Sequence, residues 1–274
     1  MNTYPILGIP FSSMDEMQVL DLILDKIELP DQQLFIATPN PEMILESIKD
    51  KDFKKLLQNT SFNIPDGIGI LWAATYLNAS ANAKSHLIKF FIFLKTLFYI
   101  PLAPKKIRKM LPKRVTGTDM MQIICSRIPT THSVFLLGAA EGVAKTAGAK
   151  INQRYGTNIA GSHAGSPAPD QENRLRDLIN HSGADILFVA YGSPAQEFWI
   201  KRNLPKLHNI KLAMGIGGAF DFIAGTKKRA PAILRKTGLE WFFRLIIQPS
   251  RFVRIFNATV KFPLTVFLSS IQKQ

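Results

Sequence analysis

Short apolar runs, each cut off by glycine, proline or an Asx residue and each followed by a helical pattern, leave this chain few folds to choose from. The sharpest is Ile186 to Ala190. Five apolar residues are too few for a helix and read as a strand covered on both faces. Gly192 breaks the run, and Pro194 can open a helix because the first helical position needs no N–H. Gln196 and Glu197 then fall in that helix's first turn. They sit beside the carboxyl end of a strand, the edge where open α/β sheets bind ligands. An ordinary strand–turn–helix link would account for the same spacing.

Similar edges recur. Residues 4–9 read as a strand, and Ser13 could cap a helix over 14–28. Leu34 to Ala37 runs into Thr38-Pro39-Asn40-Pro41-Glu42. Two prolines in three positions make that a stiff loop, and Pro41 opens the next helix. Asn40 either caps that helix or meets a ligand beside Thr38. Phe62 to Ile64 ends in Pro65-Asp66-Gly67-Ile68-Gly69. Pro-Asp-Gly is ordinary turn chemistry; the other reading points the Asp66 carboxylate into the same cleft as Asn40. Further strands are expected at 134–137, 157–160 and 212–214. Further helices are expected at 67–77, 120–127 (capped by Thr118 or Asp119), 141–153, 169–180 and 194–202. Strands alternating with helices imply an α/β fold, a Rossmann-like and mostly parallel sheet flanked by helices.

Two segments depart from that alternation. Residues 79–114 hold nine Lys or Arg and no acid, and residues 227–261 hold nine with Glu240 as their one acid. They account for more than the net charge of +14, so the remaining body is nearly neutral. Both are rich in Phe, Leu and Ile. Cations among apolar residues suit a membrane surface. Nucleic acid, the rival for a basic patch, needs no such density of aliphatic side chains. Leu87 to Ile100, closed by Pro101, is short for a bilayer span of about 20 residues; it would lie in the interface with Lys89 and Lys95 snorkelling, or form a buried helical hairpin. The expected organisation is a catalytic core over 1–225, interrupted by an apolar basic insertion at 79–112, and a membrane-associated helical appendage over 226–274. In the appendage, Arg244, Arg251 and Arg254 share one broad helical face if Pro249 leaves the axis continuous.

Several chemistries are excluded. One cysteine, Cys125, gives neither a disulfide framework nor a cysteine zinc site. The five histidines lack metal spacing. Gly215-Ile216-Gly217 has Phe220 where a dinucleotide fingerprint needs glycine. There is no phosphate-binding lysine loop and no Gly-x-Ser-x-Gly elbow. Asp50-Lys51-Asp52 matches an Asp-x-Asp pattern but lies in a charged stretch and reads as a solvated helix face. No basic-then-apolar leader opens the chain, so a cytoplasmic location is expected. What remains is Thr38, Asn40, Asp66 and Gln196 on strand ends, with Arg114 nearby. A carboxylate can take a proton from an acceptor hydroxyl. Arginines can hold a leaving diphosphate by bidentate charge-assisted bonds.

Five motifs occur in order: Thr38-Pro39-Asn40-Pro41-Glu42; Pro65-Asp66-Gly67-Ile68-Gly69; Arg114-Val115-Thr116-Gly117-Thr118-Asp119; Gly192-Ser193-Pro194-Ala195-Gln196-Glu197; and Gly217-Gly218-Ala219-Phe220-Asp221, followed by Arg229-Ala230-Pro231 and Gly238-Leu239-Glu240-Trp241. Together they resemble the WecG/TagA/CpsF glycosyltransferase family over the chain outside residues 79–112, where the family usually has a short link. The resemblance implies an inverting transferase moving an N-acetylmannosamine-type sugar from UDP to a polyprenyl-diphosphate-linked sugar in cell-surface polysaccharide synthesis. By motif position Asp66 would be the general base. Thr38 and Asn40 would line its pocket, and Gln196 would contact a sugar. Arg114, Arg244, Arg251 and Arg254 would meet diphosphate groups. No metal cofactor is expected, and the protein would sit peripherally on the inner face of the cell membrane.

Two other classes fit the residues alone: an α/β enzyme using another nucleotide, such as a methyltransferase, and a non-catalytic membrane adaptor. The donor sugar, the acceptor sugar and the polymer are not written in the sequence. A site-closing appendage also leaves a homo-oligomer open.

Overall fold

The computed structural model describes residues 3–29, 32–112, 114–231, 234 and 240–272; the side chains of Glu240 and Arg244 lie outside that description. Six strands form one parallel sheet: β3 (Leu34–Ala37), β4 (Phe62–Asn63), β5 (Ser133–Gly138), β6 (Asn158–His163), β7 (Ile186–Ala190) and β8 (Leu212–Gly215), in the order β4-β3-β8-β7-β5-β6. The expected α/β class is therefore the observed one. The run expected at 4–9 is instead a hairpin, β1 (Thr3–Ile6) and β2 (Ile9–Ser12), turning at Leu7 and Gly8. Gly8 has φ of +87°, and a left-handed residue reverses a chain that apolar composition alone reads as continuous.

Alternation along the strands sorts the core. Ile36, Leu136, Phe188 and Met214 face one side, covered by α1 (Glu16–Ile27), α6 (Gly117–Arg127), α7 (Val143–Tyr155) and α10 (Ala219–Ala224). Phe135, Leu137, Leu187, Val189 and Ala213 face the other, covered by α8 (Glu172–Ser182) and α9 (Ala195–Asn203). Cys125 is buried on the first side, and burial pushes its thiol up to about 12.

Local capping chemistry fixes several helix starts away from their expected positions. Asp15, not Ser13, caps α1 in a reciprocal capping box with Gln18. Thr116, not Thr118 or Asp119, caps α6. Asp50 caps α3 (Lys51–Gln58) through bonds from the Asp52 and Phe53 amides, so the Asp-x-Asp pattern serves a helix start.

A third cluster lies beyond the β4 edge. It joins the hairpin, α2 (Pro41–Lys49), α3, α4 (Ile68–Ser80), α5 (His86–Leu102) and the final helix α12 (Pro249–Gln272). α5 runs one residue past Pro101, whose missing N–H costs only a last-turn bond. α11 (Glu240–Ile247) precedes α12. α12 has 24 residues, and an 18-residue stretch of it reaches a mean hydropathy of 1.2, enough by length and composition alone to cross a membrane. Its second half is tied down instead. Phe262 and Val266 are fully buried, the Tyr76 and Ser270 hydroxyls lie 2.7 Å apart, and the Phe267 ring sits 5.0 Å from that of Phe93. α5 and the second half of α12, far apart in the sequence, pack against each other and against α4.

Candidate active site

The carboxyl ends of β3 and β4 carry two loops that meet. The Asp66 amide donates to the Pro39 carbonyl at 3.1 Å, and the Val115 amide donates to the Pro65 carbonyl at 3.1 Å. Residues 38–41, 65–67 and 114–117 are thereby held side by side. A Cβ at Gly117 would lie 3.3 Å from Thr38 Oγ1 and 3.2 Å from Ile216 Cα, so a side chain there would push α6 a few tenths of an ångström off this edge. Thr38 is buried; Asp66 and Arg114 are half-buried. A carboxylate and a guanidinium-bearing segment thus share one partly solvated edge.

Asn40 does cap α2. Its Oδ1 accepts from the Glu42 amide at 3.0 Å and the Met43 amide at 3.1 Å. The cap stiffens the loop that carries Thr38, and Pro41 at the first helical position adds to it.

Gln196 is buried beneath the edges of β7 and β8. Its Oε1 accepts from the Gly192 amide at 3.1 Å and the Gly217 amide at 3.0 Å, and its Nε2 donates to Glu197 Oε1 at 2.7 Å. These bonds clamp the ends of two neighbouring strands. Glu197 is wholly buried, and burial raises its carboxyl above the ordinary range. Pro194 precedes the first helical residue of α9 rather than occupying it.

The appendage reaches this edge. A Cβ at Gly69 would lie 3.0 Å from Pro41 Cγ and 3.6 Å from Phe262 Cδ1, so α12 packs directly behind both site loops. Arg254, exposed on α12, makes a bidentate pair with Glu42 at the start of α2, its closest contact 2.7 Å. Arg251 is half-buried in the first turn of α12. Arg244 lies on α11; its side chain, like residues 238 and 239, falls outside the described residues.

Sequence reasoning missed three participants. Glu42 was legible as part of its motif but not as the partner of Arg254. Arg229 donates to Asp119 Oδ1 at 2.7 Å and to Thr116 Oγ1 at 3.2 Å, pinning the chain after α10 to the start of α6. Phe262 showed only as one apolar residue in an apolar stretch. Among the described residues no three His, Cys, Asp or Glu side chains are grouped to hold a metal ion. An open cleft of about 590 Å³ lies at the amino ends of β7 and β8, lined by Gln33, Asp185 and Lys211. It is at the wrong end of the sheet for the edge described above.

The model of the glycosyl transferase WecG/TagA/CpsF family matches residues 4–97 and 98–274. The chain belongs to that family. The motifs led us to expect residues 79–112 to lie outside the family's extent; the match runs through them instead. Membership makes the chain a glycosyltransferase of cell-surface polysaccharide synthesis, acting on a nucleotide-sugar donor and an acceptor.

Proposed function

We propose that the protein is an inverting transferase that moves an N-acetylmannosamine-type sugar from UDP to a polyprenyl-diphosphate-linked sugar. The observation that carries this reading is the meeting of Asp66 with Thr38 and the Arg114 segment at the carboxyl edge of the sheet. Asp66 would take the proton from the acceptor hydroxyl as its oxygen forms a bond to the sugar's anomeric carbon. The bond from that carbon to the UDP oxygen breaks on the opposite face, which inverts the configuration. Arg114, Arg251 and Arg254, with Arg244 by motif position, would bind the diphosphate groups and offset the charge growing on the leaving one. No resident metal is needed for these steps. Because the acceptor is lipid-linked, the protein would work peripherally on the inner face of the membrane.

The test is sugar transfer to a short-chain lipid-diphosphate–N-acetylglucosamine acceptor. UDP-N-acetylmannosamine and its uronic acid are offered separately, with and without EDTA, beside Asp66→Asn. Transfer that survives EDTA and is lost in the variant supports donor, reaction and base together. UDP binding without transfer of either sugar would mean the substrates are wrong. Absence of UDP binding would remove the UDP-sugar reading.

A further inference from the structure

α5 has two unlike faces. Lys89, Phe93 and Thr96 point inward and are buried against α4 and α12. Leu87, Phe91, Leu94, Phe98 and Leu102 recur every three or four residues on the other face, and all are exposed, Phe91 by 60%, Phe98 by 63% and Leu102 by 78%. This is an outward apolar stripe on a helix whose inward face is already satisfied. α5 is 17 residues long, about 25 Å at 1.5 Å per residue, short of a bilayer's apolar thickness.

Charge says what covers the stripe. Lys95, Lys105, Lys106, Arg108 and Lys109 are exposed on α5 and the turn that follows it. Lys106 lies over the Tyr99 ring, 4.8 Å from its centroid. No Asp or Glu occurs anywhere in residues 79–114. A second copy packed stripe to stripe would bring a second acid-free basic segment into the same interface, a net like-charge repulsion. An anionic lipid surface offers both complements at once: acyl chains for the stripe and headgroups for the cations.

α12 extends the same surface. Phe90 of α5 and Phe267 of α12 are in ring contact at 6.1 Å. Beyond that contact Val253, Phe256, Val260, Leu264 and Leu268 form a second exposed stripe, three or four residues apart.

We propose that the outer face of α5 is a docking surface for an anionic bilayer, a contact made in addition to any made by the C-terminal appendage. It lays the helix along the headgroup boundary and deepens the peripheral location proposed above. The test does not depend on that reaction, because it reads vesicle binding by the full chain without substrates. Wild type, Phe91→Glu/Phe98→Glu and Lys105→Ser/Lys106→Ser/Arg108→Ser/Lys109→Ser are floated with phosphatidylcholine vesicles, with and without phosphatidylglycerol. Both variants change exposed positions, and circular dichroism checks their fold.

The expected result is wild-type flotation with the anionic vesicles and about tenfold weaker partitioning of each variant, with the four-residue variant losing its response to phosphatidylglycerol. Flotation of Phe91→Glu/Phe98→Glu equal to wild type would overturn the proposal. So would a wild-type dimer in sedimentation that this variant dissociates, with no vesicle binding by either. If the transfer assay fails while the flotation difference stands, the docking surface survives and the reaction assignment does not.

Discussion

Lys89 Nζ donates a 2.6 Å hydrogen bond to the backbone carbonyl of Ser270, near the end of α12. Both residues are buried, and 181 positions separate them in the chain. A cationic side chain meets the partial negative charge of a helix C-terminus, where carbonyls lack intrahelical partners. The sequence left Lys89 either snorkelling at a membrane interface or inside a buried helical hairpin. The structure spends it on fixing the appendage to α5.

Lys89→Ala should therefore loosen α12. A hydrogen bond from a charged donor is worth about 1.5–3 kcal/mol, and the orphaned carbonyl adds to the loss. Hydrogen exchange at residues 262–272 should quicken, while the strand amides of β5 and β7 keep their protection. Phe262→Ala should act more strongly, costing about 3–5 kcal/mol, because its ring is fully buried behind both site loops. Unchanged exchange in both variants would refute the docking role of this half-helix.

Asp66→Asn should lower kcat by about 10²–10⁴-fold, the usual contribution of a positioned general base. The backbone bond from the Asp66 amide to Pro39 is kept in this variant, and its Tm and circular dichroism separate a loss of chemistry from a loss of fold. A variant that keeps its activity would remove Asp66 from the chemistry.

Arg254→Ala and Glu42→Ala separate two uses of one arginine. An exposed ion pair is worth about 0.2–1 kcal/mol, so neither change should unfold the protein. If Arg254 also meets diphosphate, its loss should depress transfer well beyond the loss from Glu42→Ala. Equal kinetic effects of the two variants would assign Arg254 to the pair alone. Steady-state kinetics of both proteins decides this.

Glu197 carries a pH signature. Burial raises its folded value above the unfolded one of about 4.3. Between those two values the folded state holds a proton that the unfolded state has lost, so stability falls as pH rises through that window. Below the unfolded value the penalty vanishes. Glu197→Gln should remove this slope, so its Tm relative to wild type should climb with pH from about 4 upward. Parallel Tm profiles would show that Glu197 is ionised without cost in the folded protein.

The sequence by itself determined the class of the fold, because the signals for it are local. Five apolar residues from Ile186 to Ala190, cut off by Gly192, are too few for a helix and read as a covered strand, and the two prolines around Asn40 stiffen the turn that leads into α2. Such constraints act within a few positions. They also placed Thr38, Asn40, Asp66 and Gln196 at strand ends, where the structure has them. Only the tertiary structure decided what those side chains do there. The Asn40 carbonyl is committed to two helix amides and the Gln196 carbonyl to two strand-end amides, a matter of which donors lie within hydrogen-bond reach. It alone decided that α5 and α12 are partners, that Arg254 faces Glu42, and that Lys89 turns inward while Phe91 and Phe98 turn out. Helical periodicity divides a helix into faces. Which face is buried depends on surfaces folded from residues nearly two hundred positions away, and no window along the chain contains them.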